Sequence, residues 1–548
     1  DDAGAGVSCG TKMMVPLKTF GRETTLSSTV ALLKDDDRGT AQIMLPGKFS
    51  DAKCFVRFSA GSGDSLRQSL SYLADYPYGC IEQTMSRFMP LLAAKQAGYI
   101  PPKIKDRLPS MVAEGLRLIK SHQAEDGGFG WYGEKGTDPM MSAYVYRGLV
   151  IAKKYYPDLD RSMISRDRYY LYSALDRGMK SQFEKAYLMF CLSEGEKIQK
   201  SMVEALVKGT TREGLYTRTL VALTLLNQGE KDRASLMIRD LVKEYMRDRS
   251  SVTSVKEKDA WDSDPVETVA SLLSAAVRTN SSTADCEALA ADLVALRTDI
   301  AWKNSRDTAW AVIALAEKVQ KFKEKTANSN VLVTVNGKSA GSAPVTAAEA
   351  ENGNTRIWVD ASALKSGMNR IEVRKNGGGP VFATAGVNFF DTSESFLPVD
   401  AGFTVKRAYS RVDAETTDGG IRLSASENTK FKVGDLVMAE VSVTKKSGAG
   451  DYIMIEDAIP PGFSVVKRDG EYYSARYAKE YSQRQIYDDK AVFFIKGPAE
   501  SAVIRYFLRA DIPGSYAALP ASACLMYYPD VSGSGSNDVL SVSTKEEK

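Results

Sequence analysis

The stretch of sequence that decides the fold of this chain covers residues 76–84. It reads Tyr76-Pro77-Tyr78-Gly79-Cys80-Ile81-Glu82-Gln83-Thr84. A cysteine thiol and a glutamine amide three positions apart can meet across one tight turn, where attack of the sulfur on the amide carbonyl, with loss of ammonia, closes an internal thioester. Such a bond stores an acylating agent, because a nucleophile that reaches the Gln83 carbonyl displaces Cys80 as a thiolate. We therefore predict a thioester cross-link between Cys80 and Gln83.

The residues around this pair favour a junction between a loop and a helix. Gly79 removes the Cβ next to the reactive cysteine and permits the backbone geometry of a small ring. The largely apolar stretch 84–97, helix-compatible apart from Pro90, follows the pair, and a helix start offers backbone N–H groups that polarise the thioester carbonyl. We assign Gly79 and Glu82 as supporting residues of the motif. The alternative is a buried, inert cysteine beside a surface glutamine.

The amino-acid composition limits the classes of protein to which the chain can belong. The chain has 548 residues, of which 43% are apolar and 26% are charged, as is typical of a soluble globular protein with more than one domain. A net charge of +3 gives no reason to expect nucleic acid as a partner. No stretch reaches the roughly 18 consecutive apolar residues of a membrane span, so no transmembrane segment is expected. The first residues do not resemble a signal peptide, and we expect any targeting signal to lie upstream.

The six cysteines predict neither a metal site nor a full set of disulfides. They stand at positions 9, 54, 80, 191, 286 and 524, with no Cys-x-x-Cys pair and no zinc-ligand spacing. If Cys80 is committed to a thioester, five remain, and five cannot all pair. A disulfide between Cys9 and Cys54 and a pair of free buried thiols are equally open interpretations.

The pattern of apolar residues changes three times along the chain. Short alternating stretches up to about residue 60 predict strands, at 24–33, 41–45 and 54–58. From about residue 65 to 320 the apolar period becomes helical, with nine or more helices and no strong strand between them, which predicts an all-α domain. The helical examples are 66–73, 104–119, 140–152, 201–207, 217–228, 234–245, 266–277, 288–296 and 308–319.

Strands are predicted again after the charged link 321–325. The stretch 331–335 leads into Asn336-Gly337, a strong hairpin signal, and 356–359 and 370–373 add further strands. Together with residues 1–60 they suggest one β-domain interrupted by the helical insertion. A second β-domain runs from about residue 395 to the C-terminus, with strands predicted at 436–443, 452–455, 492–495 and 502–508.

The run 76–84 closely resembles the thioester motif of the α2-macroglobulin and complement superfamily, in its bacterial form. Further similar runs are Asp126-Gly127-Gly128-Phe129-Gly130-Trp131, Ser142-Ala143-Tyr144-Val145, Thr308-Ala309-Trp310-Ala311-Val312, Gly434-Asp435-Leu436-Val437, Asp457-Ala458-Ile459-Pro460-Pro461-Gly462-Phe463, Leu519-Pro520 and Met526-Tyr527-Tyr528-Pro529. The resemblance covers essentially the whole chain and corresponds to the C-terminal portion of the family, without its upstream macroglobulin domains or bait segment.

This resemblance implies a multidomain α and β fold. An α/α toroid thioester domain is inserted in a β-sandwich CUB domain and is followed by a macroglobulin-type β-sandwich. The implied domains are a first CUB part at 1–62, the thioester domain at 63–325, a second CUB part at 326–394, and a C-terminal, receptor-binding-like macroglobulin domain at 395–548.

A thioester must also be shielded from water until it reacts with its target. Tyr76 and Tyr78 flank the reactive turn and could supply part of a cover. The resemblance implies that Met526 and Tyr527 of the C-terminal domain supply the rest, a role that suits the flexible, apolar side chain of methionine. The alternative is that Met526 and Tyr527 belong to the core and rim of the β-sandwich.

One segment admits a rival interpretation. Residues 122–131 also resemble the Gln-Trp repeats of terpene cyclases and prenyltransferases, which use the same toroid. Such an enzyme needs an Asp-rich motif or zinc, and the triple Asp35-Asp36-Asp37 lies in a β-rich segment where a solvated hairpin is favoured. The run is instead expected to cap and pack helix ends. His122, the single histidine, lies in this run rather than at the place of the complement histidine that redirects transfer to hydroxyls.

The resemblance implies a covalent protease trap. Cleavage of an upstream bait would lift the cover, and a lysine amine of the attacking protease would be acylated by Gln83. The expected partners are target proteases and upstream macroglobulin domains of the same protein. Without turnover the protein is an inhibitor and not an enzyme, and no catalytic residue, cofactor or metal is expected. A periplasmic or cell-envelope location is implied. A thioester adhesin that anchors to host amines and a toroid cyclase or transferase are the alternatives.

Overall fold

A computed structural model gives the structure of the chain. It describes residues 21–74, 80–131, 136–156, 159–252, 261, 264–322, 327–351, 355–392, 396–417, 420–446, 452–473, 480–496 and 499–544. Within these residues, helices lie mainly between positions 62 and 321, and strands lie on both sides of them.

The helical part is built from inner and outer helices. Its bounds are α1 (Ser62–Ala74), α2 (Ile81–Ala97), α3 (Pro102–Lys105), α4 (Leu108–Ser121), α5 (Pro139–Lys153), α6 (Arg161–Arg177), α7 (Gln182–Ser193), α8 (Lys200–Gly209), α9 (Leu215–Gln228), α10 (Lys231–Arg247), α11 (Pro265–Arg278), α12 (Thr283–Ala295) and α13 (Ser305–Lys321), with a 3₁₀ turn at Arg249–Val252. Helices α5, α9, α11 and α13 are buried on nearly all faces. By contrast, α8 and α10 bury one apolar stripe, as expected for outer helices.

One helical prediction needs correction. The single helix predicted at 104–119 is wrong, because α3 ends at Lys105 and α4 begins at Leu108. Pro109 lies in the first turn of α4, where its missing N–H costs no intrahelical bond. Pro90, the residue that the sequence sets apart from the helix-compatible stretch 84–97, lies inside α2.

The first β-sandwich combines strands from both sides of the helical part. Its strands are β1 (Arg22–Leu32), β2 (Arg38–Leu45), β3 (Phe49–Ser59), β4 (Asn328–Val335), β5 (Lys338–Thr346), β6 (Arg356–Val359), β7 (Gly367–Gly378) and β8 (Val381–Asp391), with a short α14 (Ala347–Glu351) and a 3₁₀ turn at Ala361–Ala363. The two sheets have the orders β1-β8-β3-β6 and β2-β7-β4-β5. Strand β8 pairs antiparallel with both β1 and β3. The sheets therefore close only when the chain returns from the helical insertion.

The predicted hairpin at Asn336-Gly337 is present between β4 and β5. Both residues have positive φ, 50° and 82°, as a tight two-residue turn requires. The Asp35-Asp36-Asp37 run forms the turn between β1 and β2, where Asp37 accepts a hydrogen bond from the Lys34 N–H at 3.1 Å. The predicted exposed turn is present, but the hairpin is wrong, because β1 pairs with β8 and β2 pairs with β7 in a different sheet, so the run connects the two sheets.

The C-terminal part is a second set of packed sheets. Its strands are β9 (Val399–Ala401), β10 (Phe403–Thr417), β11 (Gly420–Glu427), β12 (Lys430–Lys432), β13 (Leu436–Lys445), β14 (Ile453–Ala458), β15 (Phe463–Val465), β16 (Gln483–Ile486), β17 (Lys490–Ile495), β18 (Ser501–Ala510), β19 (Gly514–Ala518), β20 (Ser522–Leu525), β21 (Tyr528–Ser534) and β22 (Asp538–Ser543), with a 3₁₀ turn at Gly470–Tyr472. Sheets β11-β10-β13-β18-β15 and β16-β17-β14-β20-β21-β9 form the two main layers, beside a smaller β12-β22-β19 sheet.

The predicted fold class, a helical domain within one β-sandwich followed by a second, is confirmed. The domain boundaries at 62/63, 325/326 and 394/395 stay predictions. One continuous apolar core joins the helical part to the C-terminal sandwich, and the turn between β20 and β21 lies at this junction. In the described part of the chain, none of the helices is both long and apolar enough to cross a membrane.

Candidate reactive turn at the start of helix α2

Cys80 is the N-cap of α2, and Gln83 is the third residue of that helix. The Gln83 N–H donates to Cys80 Sγ at 3.4 Å, and the Cys80 N–H donates to Gln83 Oε1 at 3.1 Å. This reciprocal capping box satisfies two N–H groups that a helix start otherwise leaves unpaired. It also holds the Cys80 sulfur and the Gln83 side-chain amide in the same turn.

The turn is buried and electrostatically unfavourable for a free thiolate. Cys80 and Gln83 are 2% and 3% exposed. Burial raises the pKa of the Cys80 thiol well above its ordinary value, the charge of Glu82 raises it further, and the backbone N–H groups of Gln83 and Glu82 lower it. The helix start therefore favours the thiolate, while burial and Glu82 oppose it.

Glu82 lies at the centre of a hydroxyl network. Its carboxylate accepts hydrogen bonds from Ser86, from Ser305 at 3.1 and 3.0 Å, and from the Tyr527 hydroxyl at 3.2 Å. The side chain is fully buried, and burial raises the pKa of Glu82, while Ser86, Arg306, Ser305 and Tyr527 lower it. The network joins α2 to the start of α13 and to the C-terminal sandwich.

Tyr527 reaches this site from the turn between β20 and β21, where Met526 precedes it. Tyr527 is buried, its carbonyl accepts from Asn304 Nδ2 at 3.1 Å, and the Arg306 guanidinium lies 4.9 Å from its ring centroid. The half-buried Met526 packs against the shared core and donates its N–H to the Tyr452 carbonyl at 3.0 Å. Of the four residues predicted to cover the thioester, Tyr527 contacts Glu82 in the reactive turn, and the covering role of Met526 stays a prediction.

An aromatic contact at this junction escaped the sequence-based prediction. The Trp131 carbonyl accepts the Ile81 N–H at 3.0 Å, and the Trp131 ring lies 3.8 Å from that of Tyr452 and 5.3 Å from that of Tyr527, centroid to centroid. Tyr452 holds this position with a left-handed φ of 58°, an unusual conformation for a bulky residue. The run that contains Trp131 was predicted only to cap and pack helix ends, and nothing in the sequence near Tyr452 indicated that the two rings meet.

A buried ion pair packs next to the aromatic rings of this junction. Arg306 of α13 and Glu267 of α11 form a salt bridge with both side chains 3% exposed. The Arg306 guanidinium also stacks 4.8 Å from the ring centroid of Trp261. Burial lowers the pKa of Arg306, but the charge of Glu267, with smaller contributions from Tyr528, Tyr527 and Asp307, holds it well above its ordinary value. At the rim, Lys303 and Asp530 form an exposed ion pair across the same domain junction.

The remaining predicted site residues lie away from the reactive turn or outside the described residues. Tyr76, Tyr78 and Gly79 fall outside the described residues, so their predicted roles stay predictions. His122 is the C-cap of α4, and its Nδ1 lies 2.7 Å from the Leu118 carbonyl. Cys54 is a free, buried thiol, while Cys9 falls outside the described residues. Among the described side chains, no group of three or more His, Cys, Asp or Glu could hold a metal ion.

Comparison with protein-family models finds two matches within the chain. Residues 59–186 match the A-macroglobulin TED domain, and residues 402–530 match the bacterial alpha-2-macroglobulin MG10 domain. The first segment contains the reactive turn, and the second contains Tyr452, Met526 and Tyr527. Both matched segments contribute to the junction, whereas Lys303, Asn304 and Arg306 of the same junction lie outside them.

Two curated proteins extend the similarity over most of the chain. An alpha-2-macroglobulin of Thermotoga maritima is 25% identical over 374 residues, which are 68% of this chain and 21% of that protein. An alpha-2-macroglobulin homolog of Nostoc sp. is 24% identical over 446 residues, 76% of this chain and 23% of that protein. The match thus spans about a fifth of the length of these relatives.

Solved structures share the fold. Native alpha-2-macroglobulin from Escherichia coli, from domain MG7 to the C-terminus, superposes with a TM-score of 0.69 at 17% identity, covering 95% of this chain and 82% of that one. Salmonella alpha-2-macroglobulin reacted with methylamine gives a TM-score of 0.67 at 17% identity, covering 95% and 34%. The resemblance to the C-terminal portion of these proteins, predicted from the sequence, is confirmed.

Proposed function

Because the chain belongs to the bacterial alpha-2-macroglobulin family, we propose that it carries the reactive part of a covalent protease trap. The observation that carries this proposal is the buried capping box, in which Cys80 and Gln83 face each other within hydrogen-bonding distance. The TED match, which contains both residues, supports the same assignment.

The proposed reaction is a single acyl transfer. An amine nitrogen attacks Cδ of Gln83, the C–S bond breaks, and the amine proton passes to the departing Cys80 sulfur. The backbone N–H groups of Glu82 and Gln83 at the start of α2 stabilise the departing thiolate. The product is an isopeptide bond to Gln83 and a free Cys80 thiol, so the protein inhibits its target once and does not turn over.

We propose that lysine amines of the attacking protease are the acceptors. In complement a histidine intercepts the thioester first, but the only histidine of this chain caps α4 and contacts the Leu118 carbonyl. Direct attack by an amine is therefore favoured over transfer to a hydroxyl. Upstream macroglobulin domains with a bait segment are proposed to supply the trigger, and the periplasm or cell envelope is the proposed location.

The trap is tested with the full-length protein and a lysine-containing protease. Cleavage should produce protease adducts that survive denaturation and reduction, and a Cys80→Ser variant should form none. A protease whose lysines are dimethylated, yet which still cleaves, is the matched control and should be released. Adducts to lysines of other proteins without any cleavage would instead identify an adhesin, and adduct formation by Cys80→Ser would contradict the thioester.

A further inference from the structure

We propose that Glu82 is a positioning residue whose buried carboxylate, held by hydroxyl groups of α13 and of Tyr527, restrains departure of the Cys80 thiolate while the C-terminal sandwich is seated. This inference rests on the proposed acyl transfer. It gives a role to a motif residue that the cross-link itself does not use. Removal of Tyr527 from the junction would end the restraint.

The geometry around Glu82 suits a charged carboxylate. Ser86, Ser305 and Tyr527 all present hydroxyl groups to its two oxygens, and an ionised carboxylate can accept all of these bonds because it is an acceptor only. Hydrogen bonds to the charged form favour that form. The full burial of the side chain keeps water from screening its charge.

Glu82 lies where its negative charge repels the leaving group, the Cys80 thiolate. It is the second residue of α2, and Cys80 is the N-cap of the same turn. When the C–S bond breaks, negative charge develops on Sγ in a buried site, where the repulsion between two like charges is several times stronger than in water. The N–H groups of the helix start oppose that repulsion, so the carboxylate adjusts the rate rather than forbidding the reaction.

Tyr527 connects this restraint to the C-terminal sandwich. Its hydroxyl is the contact that the sandwich makes with the Glu82 carboxylate, and its ring helps to bury the turn against Trp131. If the sandwich leaves, Glu82 loses that donor and water screens its charge. The barrier to thiolate departure then falls at the moment when an amine gains access.

Other charged or titratable groups also face Glu82. These are Cys80 of the same turn, Tyr144 of α5, Arg306 of α13 and Tyr527 of the β20–β21 turn. Arg306 is engaged by Glu267, and Tyr144 contacts Ser86 at 2.9 Å. As pH falls through the pKa of Glu82, which burial raises, the carboxylate becomes neutral. The rate constant for unprotonated methylamine should therefore increase toward low pH.

The test compares Glu82→Gln with Ser86→Ala, a control that removes one donor and leaves the charge. Release of the Cys80 thiol by methylamine is followed as a function of pH and expressed per unprotonated amine. Glu82→Gln should react about three- to tenfold faster at pH 7.5, because a leaving group with a lower pKa departs faster. It should also lose the increase toward low pH, while Ser86→Ala should keep it. A Glu82→Gln rate that is equal to or slower than wild type would overturn the proposal.

A second measurement does not depend on thioester formation. In a Gln83→Ala background Cys80 is a free thiol in every molecule, and its alkylation rate against pH gives its pKa by peptide mass spectrometry. Adding Glu82→Gln should lower that pKa by about one unit, a tenfold change in thiolate affinity for the proton; an unchanged value refutes the role of Glu82. Failure of the proposed function looks different, since wild-type protein would then release no thiol with methylamine at all.

Discussion

The Tyr527 side chain makes two separable contributions at the reactive turn. Its hydroxyl binds Glu82, and its ring packs against Trp131 and Arg306. Tyr527→Phe removes one buried hydrogen bond, a net change of about 1 kcal/mol, and should increase the methylamine reaction modestly. Tyr527→Ala also opens a water path and should react at least tenfold faster than Tyr527→Phe. Equal rates for wild type and Tyr527→Ala, measured by thiol release, would show that Tyr527 is no cover.

The reactivity of two other cysteines, Cys286 and Cys524, reports how well the folded protein excludes water around each thiol. Burial raises the pKa of Cys286 to about 11 and that of Cys524 to about 12. Because the folded state holds these protons more tightly than the unfolded state does, each thiol contributes stability below pH 9 that is lost as pH rises through these values. At pH 8.5 both should be alkylated by iodoacetamide more than tenfold more slowly than in urea. Native rates close to the unfolded rates would contradict this.

Helix α5 packs closely against α2 at a glycine. A Cβ added to Gly148 would lie 2.0 Å from Met85 Cε and 2.9 Å from Met89 Cγ. Gly148→Ala should therefore lower the free energy of unfolding by about 1–3 kcal/mol, despite the higher helix propensity of alanine. Gly115→Ala is the matched control, since its Cβ meets Phe88 of α2 at 3.4 Å, an ordinary contact. It should be neutral or stabilising by about 0.5–1 kcal/mol in urea denaturation. A larger loss of stability in Gly115→Ala than in Gly148→Ala would refute the close contact at Gly148.

At the scale of elements, the sequence was most informative where local chemistry decides structure. The Cys80 and Gln83 spacing predicted a pair that meets across one turn, and Asn336-Gly337 predicted the β4–β5 turn. Helices α6 and α7 were not singled out, and in α6 the charged residues Arg166, Asp167 and Arg168 interrupt the apolar pattern. The contact of Trp131 with Tyr452 joins residues more than 300 positions apart, and no local pattern specifies such a pair.

The junction between the helical part and the C-terminal sandwich should depend strongly on Trp131. Its ring is fully buried between Tyr452, Tyr527 and Trp261. Trp131→Ala should destabilise the protein by about 3–5 kcal/mol and should accelerate the methylamine reaction. Trp358→Ala, at a tryptophan that is 58% exposed, should cost about 1 kcal/mol and leave that reaction unchanged. Equal effects of the two variants on urea denaturation and thiol release would contradict a sealed junction.

The most direct test for the whole molecule is the mass of the peptide that contains Cys80 and Gln83 in freshly purified protein. An intact thioester lowers that mass by about 17 Da, the ammonia lost on ring closure, and methylamine should convert it to a modified Gln83 and a titratable Cys80 thiol. A reduced Cys80 beside an ordinary Gln83 amide, with no response to methylamine, would contradict the covalent mechanism.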